Sequence, residues 1–113
     1  MTKNESTTDY EELQEKLLSI KEQEGLIGYI LRSSKTASID LKDPAKIIDY
    51  ALLSSAVFDE SQKLATVLDM EEIESIIVEG EEIKLLSMKI NGYNLSVFME
   101  KAVDHKQIFD SLT

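Results

Sequence analysis

The spacing of apolar residues changes several times along the chain, and each change marks a predicted element. Tyr10, Leu13, Leu17 and Ile20 recur at helical intervals as a single stripe, so a first helix opens at the Thr8 and Glu11 capping box and runs to about Gln23. Gly25 ends it. Residues 26–31 are a short, continuous apolar run, too brief for a helix and suited to a strand buried on both faces. After a turn at Ser33, Ser34 and Lys35, residues Ala37, Ile39 and Leu41 alternate with Thr36, Ser38 and Asp40, the period of two expected of a half-buried strand. A third strand is predicted over 72–78, then a tight acidic turn at Gly80 and a fourth strand over 83–90. Asn91-Gly92 is the strongest hairpin signal, because the turn that suits twisted strands needs positive φ at both positions. Tyr93, Leu95, Val97 and Met99 alternate along a fifth strand, and Asp104 caps a short last helix carrying Ile108, Phe109 and Leu112.

Between the second and third strands, residues 43–70 read as one long helix. Asp43 can accept the first orphan amide hydrogens, and Pro44 lacks an amide at the position where one would be orphaned. With residues about 100° apart, Ile47, Ala51, Phe58 and Ala65 form one stripe. Tyr50, Leu53, Val57, Leu64 and Leu68 form a neighbouring stripe, and Leu52, Ala56 and Val67 a third. The apolar arc spans roughly 220°, against the 100° or so that an ordinary surface helix needs. Lys46, Asp49 and Glu60 interrupt it, while Ser55, Asp59, Gln62, Lys63 and Thr66 make a continuous polar strip. Either another element of the chain covers the surplus arc or a partner does. The chain has only two further, shorter helices to offer.

The element order is helix, two-strand hairpin, long helix, three-strand meander, helix. It predicts an α+β domain, a five-stranded antiparallel sheet with helices on both faces, over residues 8–113, with residues 1–7 as a disordered leader. At 113 residues there is room for one domain with a real core. The absence of cysteine excludes thiol catalysis, disulfides and thiolate metal sites. The polar start and the absence of any long apolar run make a soluble cytoplasmic protein the expectation.

Charge narrows the partners. There are 22 acidic and 12 basic residues, a net charge of −10, so nucleic acid and anionic membrane would both repel the chain. Asp69, Glu71, Glu72, Glu74, Glu79, Glu81 and Glu82 follow one another with no basic residue between them. Such a cluster is either solvated or a docking surface for a basic partner.

The chain resembles the Roadblock family, the dynein light chain and small-GTPase-regulator domains, over about residues 10–112. The resemblance rests on Gly25 to Gly28 at the entry to the first strand, the long apolar helix after Asp43-Pro44, the strands at 73–78 and 85–90, and the hairpin that begins at Asn91-Gly92. One departure is the first hairpin, where Ser33, Ser34, Lys35 and Thr36 replace a glycine-containing tip. The resemblance implies a scaffold that dimerises by pairing third strands and packing long helices side by side, and that binds or regulates a Ras-like small GTPase. It places the dimer interface at Ala51, Phe58 and Ala65 of the helix with Ile73, Ser75, Ile76, Ile77 and Val78 of the strand. Sequence does not decide which helical stripe meets the partner. Pairing two third strands about the midpoint of Ser75 and Ile76 would oppose Glu72 and Glu79, and directly opposed like charges destabilise a sheet. A homodimer in a shifted register and a heterodimer with a related Roadblock-like chain both stay open.

Candidate chemistry is sparse. His105 is the only histidine and is expected to be solvated or capping, and no serine motif marks a nucleophile. Gly25 and Gly28 precede a strand, whereas a phosphate-binding loop leads into a helix through Gly-Lys. No cofactor is called for, and the chain is not expected to be an enzyme. Arg32, the only arginine, would have to reach a GTPase active site to act as an arginine finger, and reads instead as an ordinary strand-end residue. If the apolar arc is covered, Ser55, Asp59, Gln62, Lys63 and Thr66 become the GTPase-facing surface. Two rivals remain: a small-ligand sensor, which needs polar groups converging in an apolar pocket, and an acidic inhibitor of a basic partner.

Overall fold

The computed structural model describes residues 2–34, 37–69 and 73–113, with side chains from Tyr10 onward. Its elements are α1 (Thr2–Lys21), β1 (Leu26–Arg32), β2 (Ala37–Leu41), a single 3-10 turn at Pro44–Lys46 running into α2 (Ile47–Val67), β3 (Ser75–Glu79), β4 (Ile83–Ile90), β5 (Tyr93–Glu100) and α3 (His105–Leu112). The strands form one antiparallel sheet in the order β2-β1-β5-β4-β3. The predicted α+β architecture is therefore present, with β2 and β3 at the two edges.

Local chemistry explains the turns. Asn91 and Gly92 both have positive φ, 51° and 82°, and join β4 to β5 at the Ile90–Tyr93 pair. Gly25 has φ +88°, and its carbonyl accepts a bond from Glu100 N at 2.8 Å, fastening the turn after α1 to the end of β5. At Gly28, where β1 is bulged, a side chain is excluded by its neighbours. A Cβ there would fall on the Asp40 carbonyl and 2.7 Å from Leu41 Cα.

Alternation in the strands produces two cores. On one face, Leu13, Leu17 and Ile20 of α1 and Ile108 and Leu112 of α3 bury Tyr29, Leu31, Leu86, Val97 and Met99. On the other, Ile47, Tyr50, Ala51, Leu53 and Val57 of α2 pack on Ile30, Leu41, Leu85 and Phe98, with Tyr50 stacked on Phe98 at 4.5 Å between ring centres. Each large side chain fully buried in this way contributes on the order of 1.5–3 kcal/mol. Ser54 is the one buried residue of α2, its hydroxyl 2.6 Å from that of Ser96 on the sheet. A larger side chain at that position would hold the helix away.

Several boundaries differ from expectation. The helix α1 begins at Thr2, so Thr8 and Glu11 lie within it, and it stops at Lys21 rather than Gln23. The side chain of Thr8, and with it the expected capping contact, lies outside the described residues. The long helix is shorter than 43–70: Asp43 caps only the 3-10 turn, accepting from Ala45 N at 3.1 Å, and α2 starts at Ile47. It ends where Asp69 turns to φ 55°, with Leu68 N and Asp69 N bonded back to the Leu64 and Thr66 carbonyls. Met70, Glu71 and Glu72 lie outside the described residues, as do Lys35 and Thr36. The third strand begins at Ser75, where pairing with Met88 starts, and extends through Glu79 opposite Lys84.

Candidate interaction surface

Among the described residues, the edge position of β3 leaves one side of its backbone without a strand partner. Its side chains alternate between the two cores. Ile77 packs with the α1 and α3 core, opposite Leu86, while Val78 lies opposite Leu85 on the α2 face. Ile76 shares that face and lines a small crevice with Phe58, Ser61 and Ile73. Ser75 and Val78 are exposed, and Ile73, Ile76 and Ile77 are half-buried.

The two halves of the helix α2 are held differently. The first half is anchored by apolar contacts up to Val57. Polar contacts join these from Ser55 onward: Arg32 Nη1 donates to Ser55 Oγ at 2.8 Å, and the Lys89 ammonium lies 5.7 Å from the centre of the Phe58 ring. From Gln62 to the end of the helix every residue is exposed except half-buried Ala65. The surplus apolar surface is therefore only partly covered by the chain's own sheet. Ile48, Leu52, Leu64, Val67 and Leu68 remain 73, 67, 45, 78 and 60% exposed. Leu64, Val67 and Leu68 are neighbours at the end of the helix, and exposed apolar surface of this kind marks interfaces.

The residues singled out from sequence are distributed unevenly over this surface. Ala51 faces the chain's own core and Phe58 its crevice with β3 and β4. Ala65 lies on the same side of the helix, close to the Ile47 and Ser54 directions. Leu52 faces outward, and Leu64 and Leu68 continue the Tyr50, Leu53 and Val57 stripe beyond its core contacts, where it is exposed. Of the polar strip, Asp59, Gln62, Lys63 and Thr66 share one shallow, open surface. Ser55 is turned inward to Arg32, so the strip is four residues wide at the surface. A salt bridge of 3.4 Å from Lys63 to Glu60 lies beside it.

Two placements had no sequence signal. Ile48 extends the Leu52 stripe outward by one turn and belongs to none of the predicted stripes. His105 is half-buried at the start of α3, where Asp104 does the capping, and its Nδ1 lies 3.1 Å from Nζ of the buried Lys84. Nothing local in the sequence links positions 84 and 105. Among the described residues no group of three or more His, Asp or Glu side chains is arranged to hold a metal ion, and no helix is long and apolar enough to cross a membrane.

No family model matches the chain, and no curated protein matches it. Solved structures do. A Roadblock/LC7 domain from Streptomyces avermitilis aligns with a TM-score of 0.67 at 15% identity, over 82% of this chain and 81% of that one. The gliding protein MglB from Thermus thermophilus aligns at 0.65 and 18% identity, over 92% and 87%. An MglB with tetrameric arrangement aligns at 0.68 and 17%, over 91% and 81%. The chain has a Roadblock-like fold.

Proposed function

We propose, from the Roadblock-like fold, that the chain is a non-catalytic scaffold that pairs with a second copy of itself and binds a Ras-like small GTPase. The observation that carries the reading is the free β3 edge lying beside an α2 helix whose last turns expose Leu64, Val67 and Leu68. A symmetric pair centred on Ile77 sets Ile76 opposite the partner's Val78 and Ser75 opposite the partner's Glu79. That register stacks apolar side chains on the α2 face. It also avoids opposing acids across the described strand, which a centre between Ser75 and Ile76 would not guarantee. A related Roadblock-like chain in place of the second copy uses the same edge.

The GTPase docks on the outer surface of α2, where Asp59, Gln62, Lys63 and Thr66 adjoin the Ile48 and Leu52 stripe. Arg32 supports a role without an arginine finger, since its guanidinium lies beneath α2 on Ser55 rather than projecting from the surface.

Light scattering on the purified chain tests the first half of this reading. A dimer is expected at micromolar concentration, and Val78→Lys, on an already exposed position, is expected to give a folded monomer. A wild-type monomer would sink the scaffold. For the second half, capture of a Ras-like GTPase should depend on its bound nucleotide. Arg32→Ala should leave any stimulation of hydrolysis within a few-fold, whereas a loss near the roughly 10³-fold attributed to a finger would overturn that assignment.

A further inference from the structure

The two edges of the sheet are guarded differently. Natural edge strands are usually blunted by charge, proline or a bulge. At β3, the exposed carboxylates of Glu74 and Glu79 stand at the two ends of the strand. At β2 the single charge is Asp40, and Lys21 of α1 neutralises it at 2.7 Å. Among the described residues no strand lies along the outer side of β2, and its middle residue, Ile39, is 40% exposed. In a chain of net charge −10, β2 is therefore the edge at which a second copy meets less repulsion.

One bond fixes the direction of the β2 backbone. Lys42 N donates to the Ile27 carbonyl of β1 at 3.0 Å, so Lys42 points into the sheet. Successive residues of an antiparallel ladder aim their backbone groups to alternate sides, so Asp40 and Ser38 also point to β1, while Leu41, Ile39 and Ala37 present amide and carbonyl to the open side. Side chains divide in the same way. Ile39 lies opposite Ile30 on the α2 face, with Ala37 and Leu41 on that face too, whereas Ser38 and Asp40 lie opposite Leu31 and Tyr29 on the α1 face. The free backbone groups and the apolar side chains thus belong to the same residues.

We propose that β2 is a second self-association edge, on which another copy of this chain docks by antiparallel strand pairing about a two-fold axis at Ile39. Ile39 exchanges both backbone bonds with the partner's Ile39, and Ala37 exchanges its own with the partner's Leu41. Apolar side chains meet on the α2 face. On the α1 face Asp40 lies opposite the partner's Ser38, so no like charges are directly opposed. Ile48, 73% exposed, adds apolar surface beside the joint: it precedes Ser55 by about two helical turns, and the Ser55 bond to Arg32 shows which side of α2 is turned to β1. A five-residue edge buries on the order of half the ~800 Å² per partner of a standard interface, so the joint is weak and forms at high concentration. It depends neither on β3 pairing nor on a GTPase. Where β3 pairing also operates, each dimer carries a β2 at both outer edges, and growth is an open row that does not stop at a pair of dimers.

Single cysteines in this cysteine-free chain test the register. Partners in a hydrogen-bonded antiparallel pair have Cα atoms about 5.5 Å apart, within the ~4.4–6.8 Å that a disulfide spans. Under mild oxidation Ile39→Cys is expected to form a disulfide-linked pair about tenfold faster or more than Ala37→Cys, whose counterpart lies roughly 13 Å away along the joint. In a separate measurement, Val78→Lys disables β3 and isolates β2: sedimentation at about 1 mM should show a dimer, returned to monomer when Ile39→Lys is added. Should Val78→Lys fail to fold, the cysteine pair decides. Equal cross-linking of Ile39→Cys and Ala37→Cys, a folded Val78→Lys chain that stays monomeric at about 1 mM, or one that still associates with Ile39→Lys added would each overturn the β2 edge. Failure of β3 pairing alone reads differently, as wild-type association that Ile39→Lys abolishes and Val78→Lys leaves unchanged.

Discussion

Single positions fix how closely neighbouring elements can approach each other. Gly28 is the sharpest case, because an added methyl would meet the Asp40 carbonyl and the Leu41 backbone, neither of which can move without breaking the β1–β2 pairing. Gly28→Ala is therefore expected to destabilise the domain by about 3 kcal/mol, the upper range for forcing atoms into a packed site, measured as a lowered urea midpoint. Gly92→Ala, with open space around its Cβ and only its positive φ to accommodate, should cost about 1 kcal/mol. The two glycines differ equally in legibility. Asn91-Gly92 announces its turn because the requirement lies within two adjacent residues. Gly28 gives no such sign, since what excludes a side chain is a strand more than ten residues away. Ser54 on Ser96 and Lys84 on His105 are hidden for the same reason.

At the scale of elements, spacing identifies every helix and strand, and the differences are confined to their ends. Ends depend on contacts that periodicity does not register: β3 starts where Met88 becomes available as a partner, and α2 stops where Asp69 adopts positive φ. The breadth of the apolar arc on α2 is legible, but the direction it faces is not. Ser54 in the middle of the buried side rotates the helix so that Ala51 points inward and Ile48 and Leu52 outward. Capping is legible at Asp104, where it opens the last helix, but not at Thr8, which lies inside α1. Asp104 Oδ1 accepts from Lys106 N at 3.0 Å and Gln107 N at 3.4 Å, opening an α3 whose Ile108 and Leu112 are fully buried. Asp104→Ala should cost about 1 kcal/mol. Because α3 seals the core against α1, the loss should appear as a lowered midpoint of the whole unfolding transition rather than as fraying of the last helix.

For the whole molecule, charge and apolar surface oppose each other. Two copies carry −10 each, so long-range repulsion acts against the association that the β3 edge and the end of α2 favour. Glu79 and Glu74 flank that edge and concentrate the repulsion there. Raising the ionic strength from about 0.05 M to about 0.5 M shortens the screening length from roughly 14 Å to roughly 4 Å and removes most of this repulsion, while leaving apolar contact intact. The self-association constant measured by sedimentation should therefore strengthen with salt. An acidic inhibitor held to a basic partner by opposite charges would weaken over the same range. The sign of the salt dependence thus separates a scaffold built on its apolar edge from an inhibitor built on its charge. A self-association that weakened with salt would remove the β3 edge and the exposed turns of α2 as the interface.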